Sequence, residues 1–169
     1  MNLYILISSN KIMDSVFDWL RKCGTFPLNA TDDFFLNMSH LILSNSKITY
    51  IHEDIGKLTN LIEVSFMGRN LAHLPDSIGN LEKLEKLNIR KNKFTNLPES
   101  LANLKNLKEL DLRYNNLDSN SKNVLEELVM TSSAIIKLET DNFDFEEELA
   151  KHRKGEPATG RTTAKAAEY

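Results

Sequence analysis

The side chains that could hold a metal ion or attack a substrate are few in this chain and stand far apart. No GxGxxG, GxxxxGK[ST] or GxSxG motif occurs. The acidic run at 141–148 lacks the glycine and the alternation of a calcium loop. The histidines and the single cysteine show no metal-ligand spacing to one another: His40, His52, His73, His152 and Cys23. We therefore predict no catalytic residue, no metal site and no cofactor, and we interpret Cys23 as a helix core residue.

Apolar residues, in contrast, recur with a fixed period of 23 residues. The stretch 84–106 reads LEKLNIRKNKFTNLPESLANLKN, and shifting it back by one and two periods gives 61–83 and 38–60. Every template position in these three units is apolar, although only 41% of the chain is hydrophobic. In the third unit these positions are Leu84, Leu87, Ile89, Phe94, Leu97, Leu101 and Leu104. A period in this range is typical of a solenoid.

Each unit has two halves with different periodicity. LEKLNIRKN alternates apolar and polar residues, as does a strand with one buried face. LPESLANLKN spaces its apolar residues by three and four, which indicates helical turns. Pro75 and Pro98 stand where the second half begins, and their fixed φ prevents the strand from continuing. Stacked units would pair their strands in parallel and bury one continuous core.

Asn92 and Asn115 occupy the ninth position of their units, where the strand must turn away. A buried amide there could satisfy backbone groups that the bend leaves without partners. Ser46 could do part of this work in the first unit. Arg69 could not, and Asn70 is the neighbour that could substitute in the second unit.

The pattern LxxLxLxxNxLxxLPxxLxxL from Leu84 to Leu104 resembles the leucine-rich repeat family, of the short 23-residue LPxxL type. The resemblance covers about Met38 to Leu128. It implies an α/β fold: a right-handed, curved solenoid with a parallel concave sheet and short helical or 3-10 segments on the convex side. It also implies that the concave sheet binds another protein, and it implies no catalytic residues.

The two ends of the array need caps, so we divide the chain into 1–37 (N-terminal cap), 38–129 (four repeats), 130–154 (C-terminal cap) and 155–169 (disordered tail). DSVFDWLRKCG predicts a helix with Asp14 as N-cap and Gly24 as terminator. Its apolar face would be Val16, Trp19, Leu20 and Cys23, with Phe26, Phe34 and Phe35 as further cover. Before it, ILISSNKI either forms a degenerate first strand or does not belong to the array.

The fourth unit departs from the template after Leu117. SNSKNVLEELVM predicts a helix with Ser119 or Ser121 as cap and with an inward face of Val124, Leu125 and Leu128. SAIIKLETDNF predicts a last strand with Ile136, Leu138 and Phe143 in register. FDFEEELAKHRK, acidic first and basic last, predicts a closing helix.

Strand geometry places the third, fifth, seventh and eighth positions of each unit on the concave face. Neighbouring strands lie about 4.8 Å apart, so equivalent positions form rows of neighbours. Arg90 and Arg113 would be adjacent there, with their repulsion offset by Asp111 and Glu109 or by an acidic partner. Ile42 adds an exposed apolar side chain. The predicted partner-binding residues are Met67, Lys86, Arg90, Lys91, Glu109, Asp111, Arg113 and Tyr114.

Net charge, apolar runs and cysteine count bear on the partner and the cellular location. A net charge of −3 gives no argument for nucleic acid or an anionic membrane, and we predict neither a signal peptide nor a membrane span. One cysteine fits a reducing, cytoplasmic location. We expect a non-catalytic adaptor or inhibitor that binds a protein, which could carry an acidic patch, and no small-molecule substrate. Two alternatives stay open: an effector delivered into host cells, and a scaffold presenting its basic tail. The sequence does not define the oligomeric state.

Overall fold

The computed structural model describes residues 15–27, 29–43 and 48–138 of the chain. Within them, five short strands form one parallel sheet in sequence order. The strands are β1 His40–Ile42, β2 Glu63–Ser65, β3 Lys86–Asn88, β4 Glu109–Asp111 and β5 Ile135–Lys137. Each of the first four occupies the third to fifth positions of its repeat, as the alternation of LEKLN predicts.

The strand register confirms the 23-residue period. Leu41 pairs with Val64, Val64 with Leu87, and Leu87 with Leu110. The last pairing is different, because Leu110 lies opposite Ile136, three residues later than the period requires. All five of these side chains are buried, so they form a single apolar line beneath the sheet.

The second half of each of the first three repeats is a 3-10 helix. These helices are η1 Glu53–Lys57, η2 Asp76–Asn80 and η3 Glu99–Asn103. Pro75 and Pro98 are the residues immediately before η2 and η3, which confirms that they begin the second half of the repeat. The strands β2 and β3 end ten residues earlier, at Ser65 and Asn88, so the prolines are not what stops them. No proline precedes η1; His52 stands there instead, and its Nδ1 accepts a hydrogen bond from the Asp54 amide at 3.0 Å.

The 3-10 helices pack so closely that two of them need glycine. A Cβ on Gly56 would lie 2.2 Å from the Ser77 carbonyl oxygen, and one on Gly79 would lie 2.4 Å from that of Ser100. The equivalent position of η3 is Ala102, whose carbonyl accepts a 3.0 Å bond from the Thr131 hydroxyl. The spacing between successive convex turns is therefore set by backbone contact.

Helix α1 (Val16–Lys22) buries the predicted face, with Val16, Trp19, Leu20 and Cys23 all in the core. Gly24 follows with φ of +71°, as expected for a terminator. The predicted N-cap, Asp14, is wrong: Ser15 is the N-cap. Its hydroxyl accepts from the Asp18 amide at 3.2 Å and the Asp18 carboxylate accepts from the Ser15 amide at 3.4 Å, forming a capping box.

The array begins with a cluster of aromatic side chains. A second helix, α2 (Asp32–Leu36), carries Phe35 into the core, and Phe26 meets its ring edge-on at 5.3 Å between centroids. Phe34, predicted as cover, is 45% exposed. Trp19 lies against the rings of Tyr50 and His52, with centroids 6.2 and 6.3 Å apart.

Helix α3 (Asn120–Thr131) takes the place of a fourth 3-10 helix and buries Val124, Leu125 and Leu128 as predicted. Ser119, one of the two predicted alternatives, stands at the N-cap, but its side chain makes no capping hydrogen bond. Asp118 supplies the acceptor instead, with Oδ1 accepting from the Asn120 amide at 3.0 Å and the Ser121 amide at 3.3 Å. A carboxylate is favoured there by the helix dipole.

Several predicted features lie outside the described residues: the degenerate strand at 5–12, Ser46, Phe143, the closing helix and the tail. The four-part division and the capping role of the ends therefore stay predictions. In the part of the chain that the structure describes, no helix is long and apolar enough to cross a membrane.

Candidate protein-binding surface

The parallel hydrogen bonding continues beyond the three-residue strands. Gly68 donates to the Arg90 carbonyl at 2.9 Å, and Lys91 donates to the Arg113 carbonyl at 2.9 Å. The seventh and eighth positions of the last three repeats are therefore held side by side. Fifth-position side chains fix this geometry, because Asn88 Oδ1 accepts from the Arg90 amide at 3.1 Å and Asp111 Oδ1 accepts from the Arg113 amide at 3.2 Å.

The ninth-position asparagines turn the chain after this edge, as predicted. Asn92 is buried; its Oδ1 accepts from the Arg69 and Leu71 amides, and its Nδ2 donates to the carbonyls of Phe66, Ile89 and Arg90. Asn115 likewise accepts from Phe94 and donates to Ile89 and Leu112. Each amide thus serves the preceding repeat as well as its own.

The second repeat therefore does not use Asn70 as a substitute amide. Asn92 of the next repeat supplies the acceptor for the bend at Arg69. Asn70 is exposed and contributes a left-handed backbone, with φ of 56°. Asparagine tolerates this conformation better than most residues.

The eighth position of three successive repeats has a positive φ. It is 73° at Gly68, 58° at Lys91 and 59° at Tyr114. Glycine adopts this conformation freely, whereas a residue with a Cβ is strained by roughly 1–2 kcal/mol. The backbone at this edge therefore demands the left-handed conformation whatever residue is present.

Arg113 is neutralised within the protein. Its Nε donates to Asp111 Oδ1 at 2.9 Å, and its Nη2 donates to Asp111 Oδ2 at 2.6 Å. Asp111, predicted to contact a partner, is only 5% exposed and lies beneath this guanidinium. Its burial alone would raise the pKa of Asp111, but the hydrogen bonds from Arg113 and the nearby Arg90 charge outweigh burial and hold that pKa below its ordinary value.

Arg90 and Lys91 gather around the exposed ring of Tyr114. Arg90 Cζ lies 4.8 Å from the ring centroid and Lys91 Nζ lies 5.8 Å from it. Both distances suit a cation–π contact. We call Arg90, Lys91 and Tyr114 the cation–tyrosine cluster. The structure therefore brings these three predicted residues together, with Arg113 beside them.

The other predicted residues lie around the cluster. Lys86 is exposed in the sheet, paired in register between Glu63 and Glu109. Glu109 forms an ion pair with Lys137 on β5. Met67 is 36% exposed. In the described ranges, no carboxylate forms an ion pair with Lys86, Arg90 or Lys91.

The prediction from sequence missed Lys137, which neutralises Glu109, and Ile135, which is exposed opposite Glu109. Both lie on β5, where the 23-residue template no longer applies. The alternation in AIIKL signals a strand, but only the pairing of Glu109 with Ile135 shows which residues share the concave rows.

The described residues give little support for a nucleophilic cysteine or a metal site. Burial raises the pKa of the Cys23 thiol to about 11, and the thiol donates to the Trp19 carbonyl at 3.2 Å. It is therefore protonated at neutral pH and a poor nucleophile. Over the described residues, no group of three or more histidine, cysteine, aspartate or glutamate residues could hold a metal ion.

Comparisons with known proteins agree with this architecture. A search of curated proteins found no match. Among solved structures, a leucine-rich repeat protein of Leptospira interrogans is 34% identical, over 57% of this chain and 25% of its own, with a TM-score of 0.53. Internalin C2 of Listeria monocytogenes is 30% identical, over 62% of this chain and 43% of its own, with a TM-score of 0.52.

A third solved structure contains a ligand. It is that of the Arabidopsis receptor kinase HAESA in complex with a peptide hormone and a co-receptor, 29% identical over 65% of this chain and 20% of the matched chain, with a TM-score of 0.52. The chain thus spans well under half the length of each of these three. A family model described as a leucine-rich repeat region matches residues 28–152. The chain belongs to the leucine-rich repeat family.

Proposed function

We propose that this chain is a non-catalytic adaptor or inhibitor that binds a partner protein through the concave face of its sheet. The observation that carries the proposal is the cation–tyrosine cluster, in which an exposed aromatic ring lies beside two cations that form no ion pair with a carboxylate of the described residues. Tyrosine and arginine are the residue types that most often dominate binding energy at interfaces. The single, buried Cys23 favours a reducing, cytoplasmic setting.

The charge of this face favours an acidic partner. Arg113 and Lys137 are paired with Asp111 and Glu109, so their charges are largely cancelled. Among the described residues, Lys86, Arg90 and Lys91 form no ion pair with a carboxylate, although the Arg90 charge also acts on Asp111. An acidic surface would offset this excess, speed the encounter and disfavour basic competitors.

The test is affinity capture with the wild-type chain and with the double variant Arg90→Glu/Lys91→Glu. We expect the variant to lose the partner. Reversal at Arg113 is a poorer choice, because it would place a carboxylate against buried Asp111 and disturb folding. The control is Lys93→Glu/Lys105→Glu, which changes net charge equally at exposed residues outside the concave rows. Capture that survives the first variant would refute the proposal.

A further inference from the structure

The concave face is apolar at its β1 end and cationic at its middle strand. Ile42, on β1, is 47% exposed, and Met67, two residues beyond β2, is 36% exposed. The third repeat presents Lys86, Arg90 and Lys91 on the same face, and Tyr114 of the fourth repeat completes the cation–tyrosine cluster. The change from apolar to cationic therefore runs across the strands, from β1 to β3.

The strained backbone marks the cation–tyrosine cluster as more than ordinary surface. Gly68 shows that the eighth position is satisfied without any side chain. Lys91 and Tyr114 hold side chains there at a conformational cost, and those side chains are exposed. Because these two side chains do not pack in the core, their backbone strain is not explained by folding. It indicates that the side chains bind something outside the chain.

The strand spacing defines the length of a segment that could contact both parts of the face. From β1 to β3 there are two strand intervals of about 4.8 Å, or about 10 Å in total. An extended chain advances about 3.3 Å per residue, so about three residues cover that distance. One short segment lying across the strands can therefore reach both parts.

We infer that the partner docks an extended acidic segment across the sheet. Its carboxylates contact Arg90 and Lys91, and an apolar side chain about three residues away packs on Ile42 and Met67. This inference rests on the proposed concave-face binding and adds the chemistry of the bound segment. The charge supports one occupant, because Arg90 and Lys91 form no ion pair with a carboxylate of the described residues and the apolar end gives that segment a direction.

The experiment is selection from a displayed library of about seven randomised residues, the length that spans the face with a margin, on the full chain. We expect enriched sequences to carry aspartate or glutamate at one end and an aliphatic or aromatic residue about three positions away. Arg90→Glu/Lys91→Glu should weaken the selected peptides about tenfold or more. Ile42→Ser/Met67→Ser should remove the apolar preference and keep the acidic one. Lys93→Glu/Lys105→Glu serves as the matched control.

The outcomes separate this inference from the proposed function. No enrichment, or enrichment that is unchanged by Arg90→Glu/Lys91→Glu, overturns the inference. If partner capture still depends on Arg90 and Lys91 while no peptide is selected, the concave face binds a folded surface, and only the inference fails. Loss of acidic selection in Lys91→Gly, a change that relieves the left-handed strain, would add support, because the loss could not come from instability.

Discussion

At the scale of single residues, the buried side-chain amide of Asn92 forms hydrogen bonds to five backbone groups. Asn92→Ala would remove the acceptor of the Arg69 and Leu71 amides and the donor to the Phe66 carbonyl. The carbonyls of Ile89 and Arg90 would keep a second donor each. We expect a loss of about 3 kcal/mol in the free energy of unfolding, measured with urea. Asn115→Ala should cost less, since Asn115 is half-buried and makes fewer bonds. Equal losses would contradict this account.

The variant Asn92→Asp distinguishes the acceptor role of the side-chain amide from its donor role. Aspartate keeps an acceptor for the amides of Arg69 and Leu71 but removes the donors to Phe66 and Ile89. It also buries a charge, so we expect it to be no more stable than alanine at neutral pH and to recover stability as acid protonates it.

Asp111 gives the fold a dependence on acid. Its folded-state pKa is lowered, mainly by Arg113 acting against burial. A depressed carboxyl pKa contributes stability that is present above the unfolded value of about 4 and is lost as pH falls through the folded value. We expect stability to decline below about pH 4, and the decline to be shallower in Asp111→Asn, as measured by urea unfolding at several pH values. An equally steep decline in both would assign the effect to other carboxylates.

Residue-level chemistry was only partly predictable from the sequence. The ninth-position pattern predicted that Asn92 and Asn115 bind backbone, because a bend there leaves polar groups exposed. It could not show that each amide also serves the preceding repeat, since that depends on the stacking distance. The cap of α1 was misassigned for a related reason: Ser15 lies one residue from Asp14, and only φ and hydrogen-bond geometry distinguish such neighbours. At α3 the N-cap position of Ser119 was predicted, but not that Asp118 supplies the acceptor.

At the scale of elements, the convex turns are limited by backbone contact. Gly79→Ala would place a Cβ 2.4 Å from the Ser100 carbonyl oxygen, so η2 and η3 would have to separate. We expect a loss of about 1–3 kcal/mol in unfolding free energy. Ala102→Gly, at the same position of the next repeat, relieves no clash and should cost about 1 kcal/mol or less. A Gly79→Ala variant as stable as wild type would show that the turns can slide apart.

The strands were predicted correctly, because a period of two within a period of 23 leaves one register that buries Leu41, Val64, Leu87 and Leu110 together. The convex segments were predicted as helical turns or 3-10 helix. They are 3-10 in the first three repeats and become an α-helix only at α3, where VLEELVM supplies a longer apolar stripe. The offset of β5 could not be predicted, since α3 alters the length of that repeat.

At the scale of the whole molecule, charge is distributed unevenly although the net value is small. The chain carries a formal −3, yet three cations of the concave face form no ion pair with any carboxylate in the described ranges. We expect partner association to slow as sodium chloride rises from about 0.05 to 0.5 M, because exposed charges are screened over that range. Arg90→Glu/Lys91→Glu should abolish this dependence in association-rate measurements. A rate that does not respond to salt in the wild type would exclude electrostatic guidance.

The position of Trp19 gives this molecule a built-in local reporter. It is the chain's one tryptophan, and it lies beside Tyr50 and His52 at the first-repeat end. Its fluorescence therefore follows that end alone, whereas circular dichroism averages over every turn. In a stack whose units contact only their neighbours, the two signals coincide when all turns melt together and diverge when one end frays first.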